Sequence, residues 1–361
     1  MSFKKYEYGS ASNMLLPKGC RYCVTGAKMV LFITGICRTG CFYCPVSPEK
    51  KDKDVIFANE RRITNLEEIL EEAEMMDAEG TGITGGDPLT AMDRTIEAIK
   101  ILKKHFGRGH HIHLYTSTMD VKKVIDLKNA GLDEIRFHPP MEQWGSFDTG
   151  VLSEIVSIKG LDVGIEIPAI PDMEKELEQL IIAVVNAGVK FVNINEFEFS
   201  ESNWNMMEDC GYEIKDELSS SILGSEDIAI EIMKKHKKYP IHFCSSSFKD
   251  GVQLRNRLLR RAKHIAKKYD LITEDGTLIK GIVYADDLES AMTVLTKEHK
   301  VPSSLLYVDR DRDRIEIASW ILERIADNLP YKCYVVEEYS TSDRMEVERT
   351  PLGKKQDQVV L

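Results

Sequence analysis

Cys37, Cys41 and Cys44 fall within eight residues, in Gly35-Ile-Cys-Arg-Thr-Gly-Cys-Phe-Tyr-Cys-Pro45, directly after the apolar run Met29–Ile33. Thiolates are soft ligands that favour iron–sulfur clusters, zinc and Cu(I). Three on one short loop can hold three corners of a cubane cluster whose full ligation needs four. The missing donor leaves one iron open to a small molecule, as catalytic metal sites keep one position open. A zinc knuckle and three unrelated thiols are the other readings. Zinc asks for a fourth Cys or His close by, in paired half-sites, and none follows Cys44.

The spacing C-x3-C-x2-C, with Tyr43 just before the third cysteine, resembles the signature of the radical S-adenosylmethionine (SAM) superfamily. The resemblance implies a [4Fe–4S] cluster on Cys37, Cys41 and Cys44, with SAM chelating the open iron and Tyr43 backing the adenine. One electron from the cluster then splits the sulfonium and yields a 5′-deoxyadenosyl radical. One strand later comes Thr84-Gly-Gly-Asp-Pro-Leu89. Paired glycines let a backbone approach a ligand closely, and the superfamily carries Gly-Gly-Glu here to bind the SAM amino group. The resemblance therefore assigns the methionine part of SAM to Gly85, Gly86 and Asp87, the last a methylene shorter than usual. A plain turn is the alternative, since Gly-Gly and Asp-Pro both form turns.

Later strand ends are most similar to the pyruvate formate-lyase activating enzymes. His113-Leu-Tyr-Thr-Ser-Thr118 occupies the third strand, whose end usually touches the ribose, which makes Thr116 and Ser117 candidates. In Ile135-Arg-Phe-His138, strand alternation puts Arg136 and His138 on one face, and the arginine could grip the SAM carboxylate bidentately. Gly164–Asp172 and Asn193–Glu196 occupy strands five and six. Each polar residue could instead be a satisfied hydrogen bond inside a barrel. The resemblance covers about residues 29–200. It implies an anaerobic enzyme, reduced by a ferredoxin or flavodoxin, that abstracts hydrogen from a protein, peptide or small molecule.

A second pair, Cys20-Arg-Tyr-Cys23, precedes the first strand, and His242 and Cys244 alternate on the last. C-x2-C commonly supplies half of a zinc or iron–sulfur site. A closed barrel would set the last strand beside the first, so Cys20, Cys23, Cys244 and His242 are candidates for a second metal site, iron–sulfur or zinc. A redox dithiol is the alternative. Cys210 and Cys333 have no partner signal and read as buried thiols.

These residues need a scaffold. Strands are expected at Met29–Thr34, Gly80–Thr84, His111–Ser117, Glu134–His138, Asp162–Ala169, Phe191–Phe197 and Ile241–Ser245, with helical patterns between them. Repeated strand–helix units imply an α/β fold with a parallel sheet, here a partial or near-closed TIM-like barrel. Its active site belongs at the C-terminal strand ends, where the clustered cysteines lie. The expected domains are an N-terminal extension (1–28), the barrel (29–246), a basic helical segment (247–280) and a small α/β C-terminal domain (281–361). That last domain reads strand, helix, strand, a helix at Arg314–Asp327, two strands and a polar tail.

The 361 residues are 43% hydrophobic and 30% charged, as in a soluble globular protein. No run approaches the roughly 18 apolar residues of a membrane span, and Met1–Ser12 has no secretory apolar region. A cytoplasmic protein without a membrane partner is expected, where eight cysteines point to metal or redox chemistry before disulfides. The net charge of −11 argues mildly against a mainly nucleic-acid-binding protein. Residues 249–268 nevertheless carry eight Lys/Arg against one Asp, along an apolar stripe of Leu254, Leu258, Ala262, Ile265 and Tyr269. Two other functions therefore stay open, radical modification of tRNA or other RNA through that segment, and a non-catalytic zinc-binding scaffold.

Overall fold

The computed structural model describes residues 3–217 and 219–353. The first two residues of the expected extension and the tail 354–361 lie outside the described residues. The chain forms two compact units, Met1–Glu74 with Ala78–Leu254, and Met75–Asp77 with Arg255–Leu361.

Seven parallel strands build the first unit: β1 (Lys28–Phe32), β2 (Gly80–Thr84), β3 (His111–Thr116), β4 (Glu134–Phe137), β5 (Asp162–Ala169), β6 (Phe191–Glu196) and β7 (Ile241–Cys244). They stand side by side in chain order. Antiparallel strands flank the array, Ala11–Ser12 on β7 and Ile56–Ala58 on β1. Strands β1 and β7 do not pair with each other. The barrel is partial, which corrects the near-closed form.

Helices Met92–Phe106, Val121–Ala130, Glu174–Asn186 and Ser225–Lys235 fall between strands as the apolar spacing predicts. The Thr64 hydroxyl bonds Glu68, the first residue of helix Glu68–Met75.

Strand alternation sorts residues by chemistry. Ile83, Leu114, Ile135, Ile165, Ile194 and Phe243 are fully buried with helix residues such as Ile99, Leu127 and Leu180. Their partners in alternation, His113, Arg136, Asn193 and His242, are buried and polar. Barrel interiors are usually filled by branched apolar side chains. A polar interior instead leaves room and hydrogen-bonding capacity for ligands.

Helix α1 (Lys18–Val24) carries Cys20 and Cys23. Its Gly19 amide donates to Glu134 at 3.4 Å. A Cβ on Gly19 would lie 2.6 Å from His113 Nδ1 and 2.7 Å from Arg136 Nη2, so only glycine permits this approach.

The second unit is an antiparallel sheet in the order Leu306–Asp309, Arg314–Ile317, Thr277–Tyr284, Lys332–Tyr339, Glu346–Leu352. The helix expected over Arg314–Asp327 is corrected to a strand followed by helix Ser319–Ile325. The period-two run Arg314-Ile-Glu-Ile317 buries alternating charges, and Arg314 pairs with Glu316 and Glu338.

In helix Arg255–Ile265, Leu258 and Ala262 are buried as the stripe predicts. Three of its arginines are engaged within the unit: Arg255 with Asp275, Arg260 with Asp77, and buried Arg261 with the Ser340 carbonyl. The segment thus spends much of its charge internally.

Candidate active site

The loop between β1 and Ile56–Ala58 carries the three clustered cysteines and is closed at its stem. Gly35 N donates to Lys53 O at 2.8 Å, and Asp52 N donates to Gly35 O at 3.1 Å. A Cβ on Gly35 would fall 1.7 Å from Lys50 O, so this crossing requires glycine. Arg94 clamps the stem through Asp54 (2.6 and 2.9 Å) and the Ile33 carbonyl (3.0 Å). Its guanidinium holds the Asp54 carboxyl down to about 2. The tip is tethered by Asn203 to the Tyr43 carbonyl (3.1 Å) and by Ser202 to the Cys44 carbonyl (2.9 Å).

The tip forms one wall of a cavity of about 330 Å³ at the C-terminal strand ends. Cys37, Cys41 and Cys44 all line it, with Tyr43, Gly85, Gly86, Thr116, Ser117 and His138. Burial pushes the Cys41 thiol up, and negative charge on Cys37 or Cys44 pushes it further. No other cysteine lines this cavity. Among the described residues no three His, Cys, Asp or Glu side chains close on one metal ion. Zinc, with Zn–S of about 2.3 Å, needs its sulfurs nearly in contact, whereas a cluster seats each thiolate on a different iron. The donor set and its missing fourth thiol fit an iron–sulfur cluster with an open iron.

Gly85 and Gly86 line the cavity, and their own neighbours explain them further. Gly86 N donates to Thr34 O at 2.8 Å, and Asp87 N donates to Ile36 O at 2.9 Å. A Cβ on Gly86 would sit 2.5 Å from Ile36 O and 2.6 Å from Gly35 O. The Gly-Gly turn is thus the bed on which the cysteine loop lies. Gly86→Ala is expected to destabilise the protein by about 1–3 kcal/mol through overpacking and to lower the iron retained after anaerobic reconstitution. Thermal melting and iron assay measure the two effects.

Asp87 departs from its expected role. Its carboxylate is buried, accepts from Thr116 (2.7 Å), Ser117 (2.9 Å), Thr118 (2.8 Å) and Leu89 N (2.9 Å), and does not line the cavity. It orients hydroxyls. Because Thr116 and Ser117 donate to Asp87, they present oxygen lone pairs to any ligand, which suits groups that donate, such as ribose hydroxyls.

Arg136 also departs from its reading. Strand alternation does put it on the face of His138, but it lies deeper and does not line this cavity. Its guanidinium is spent on Glu134 (2.5 Å) and Glu166 (2.8 Å). His138 does line it. Its Nδ1 donates to the Glu166 carbonyl (2.8 Å) and its Nε2 accepts from the Tyr43 hydroxyl (2.9 Å). Burial keeps this imidazole's pKa low, hence neutral, which matches that pattern. Tyr43 is thereby pinned beside the sulfurs, with Phe197 edge-on at 5.7 Å.

Sequence reasoning missed Tyr115, Glu166 and Asn195 as cavity residues. Their signal was available, since Glu166 stands in β5 and Asn195 in β6 within segments already singled out. Cys20, Cys23, Cys244 and His242 lie apart from the cysteine loop, around a deeper cavity. Cys210 is exposed, against expectation, and Cys333 is buried.

The profile of the radical SAM superfamily matches residues 31–139, and a domain of unknown function, DUF8061, matches residues 276–352. A Methanocaldococcus jannaschii protein named "Putative glycyl-radical enzyme activating enzyme MJ0021" is 43% identical over 359 residues, covering 94% of each chain. Among solved structures, a Coxiella burnetii dihydropteroate synthase in complex with pteroic acid is similar at a TM-score of 0.32 and 15% identity. That match covers 57% of this chain and 88% of the synthase, and at so low a score it bears on neither fold nor function. Among the described residues no helix is long and apolar enough to cross a membrane.

Proposed function

The chain belongs to the radical SAM superfamily, whose members use a [4Fe–4S] cluster and SAM, and from that premise we propose that it is an activating enzyme that removes a hydrogen atom from a glycine of a partner enzyme. One observation carries the reading: three thiols of a single loop share a cavity with Gly85 and Gly86 and with no fourth thiol. Cys37, Cys41 and Cys44 would hold the cluster, leaving one iron for SAM. Bound there, cluster and SAM supply a 5′-deoxyadenosyl radical by one-electron cleavage of the sulfonium.

The protein's part is placement and exclusion of water. Gly85 and Gly86 bring backbone groups to the methionine end of the ligand. Thr116 and Ser117, fixed by Asp87, accept from hydroxyl groups. Tyr43, held by neutral His138, gives an aromatic wall for the adenine. The relative's name supports a glycyl-radical partner, and the engaged arginines of Arg255–Ile265 weigh against RNA. A low-potential ferredoxin or flavodoxin would deliver the electron.

The test is anaerobic reconstitution with iron and sulfide, reduction, and addition of SAM. Formation of 5′-deoxyadenosine, accelerated by a glycine-loop peptide or the cognate enzyme and accompanied by a glycyl EPR signal, is the expected result. A colourless protein that binds zinc and leaves SAM intact would refute the proposal.

A further inference from the structure

A second cavity, of about 280 Å³, lies deeper in the barrel. Thr84, Tyr115, Glu166 and Asn195 line both cavities, so the two adjoin. Cys20, Cys23, His242 and Cys244 line the deeper one, and the proposed activation chemistry uses none of them. Cys20 and Cys23 are three apart on α1 and share a helix face. His242 and Cys244 are two apart on β7 and share a strand face. The pairs meet because α1 docks on the barrel's inward side chains, rather than through the barrel closure expected from sequence.

Several features of the lining suit metal ligands. Arg136 Nη2 and Asn193 Nδ2 donate to Cys20 Sγ at 3.4 and 3.3 Å, and Gln253 Nε2 donates to Cys244 Sγ at 3.3 Å. N–H groups aimed at sulfur stabilise its anion and tune bound clusters. His242 is 1% exposed and its Nδ1 faces Asn193 Oδ1 at 3.3 Å, while Nε2 is buried without a hydrogen-bond partner. The lining also carries Lys28, Arg136 and Lys249 against Glu166, a positive excess that favours an anionic occupant.

A lone zinc ion fits poorly, because no three donors among the described residues close on one point. A cluster, which distributes its ligands over several irons, fits that wider spacing. We propose that Cys20, Cys23 and Cys244, with His242, hold a second iron–sulfur cluster inside the barrel, adjoining the cavity of the first.

The full chain with Cys37→Ala, Cys41→Ala and Cys44→Ala, reconstituted anaerobically, isolates this centre from the first. It is expected to keep roughly half the wild-type iron and acid-labile sulfide, with visible charge-transfer absorption. In the converse variant, Cys20→Ser with Cys23→Ser, iron should fall by roughly half while the first cluster remains. Iron and sulfide absent from the first variant, zinc bound without sulfide, or unchanged iron in the second would overturn the proposal. Failure of wild-type protein to cleave SAM, with the second centre intact, would count against the activation reading alone.

Discussion

Cys41→Ala is expected to lower 5′-deoxyadenosine formation from SAM at least about 100-fold, since losing even an outer-shell partner of a metal ligand costs about 10–100-fold. Chromatography of anaerobic, reduced reactions measures it. Cys41 is the middle thiol of the loop, and deprotonated Cys37 and Cys44 oppose its ionisation. A metal centre that displaces the protons relieves this mutual repulsion. Removing the middle ligand leaves two thiols on a loop whose stem still closes through Gly35 and Arg94, so the fold should survive while the chemistry is lost. Wild-type cleavage by Cys41→Ala protein would sink the cluster assignment.

Arg136→Met should destabilise the barrel by about 3–5 kcal/mol, because it strands buried carboxylates. At roughly 2–4 °C per kcal/mol this is a fall of about 10 °C in Tm. Glu134 is fully buried and Arg136 is 1% exposed, with Glu166 the second partner. Burial alone would raise the Glu166 carboxyl, but Arg136 and hydrogen bonds from Asn195 and Asn193 outweigh it and hold it below the ordinary range. In the wild type this contribution is complete above the unfolded pKa of about 4.3 and is lost as pH falls through the lower folded value. In the variant the Glu166 carboxyl, buried without its arginine, takes up a proton more readily than in the unfolded chain, so acid relieves it. The stability gap should therefore narrow as pH falls from 7 toward about 4.3. Melting curves across that range test it, and a gap that widens would refute the account.

The barrel strands were legible to within about two residues because apolar alternation and bounding glycines such as Gly131 and Gly188 are local signals. The cysteine loop was legible because its three thiols fall within eight residues, a short-range pattern. Other parts depended on register. Asn195 stands opposite Cys244, and Asn193 opposite Glu166, pairings that one sequence does not reveal. Without them Arg136 could be assigned to a ligand, although Glu134 and Glu166 claim it. Asp87 was misplaced similarly, since its three hydroxyl partners, Thr116 at the end of β3 and Ser117 and Thr118 just after it, arrive from a helix away. Helix α1 gave no periodic signal over seven residues that include Gly19. The strand Arg314–Ile317 was hidden because its polar positions are paired charges that resemble a solvated helix face.

The pairing of strand Ala11–Ser12 with β7 has a kinetic consequence. Ser10 hydrogen-bonds Ser245 across 235 positions of chain, and Ala11 stands opposite Phe243 on β7. Pairings so distant in sequence slow folding, and during synthesis the N-terminal segment waits until β7 has emerged from the ribosome.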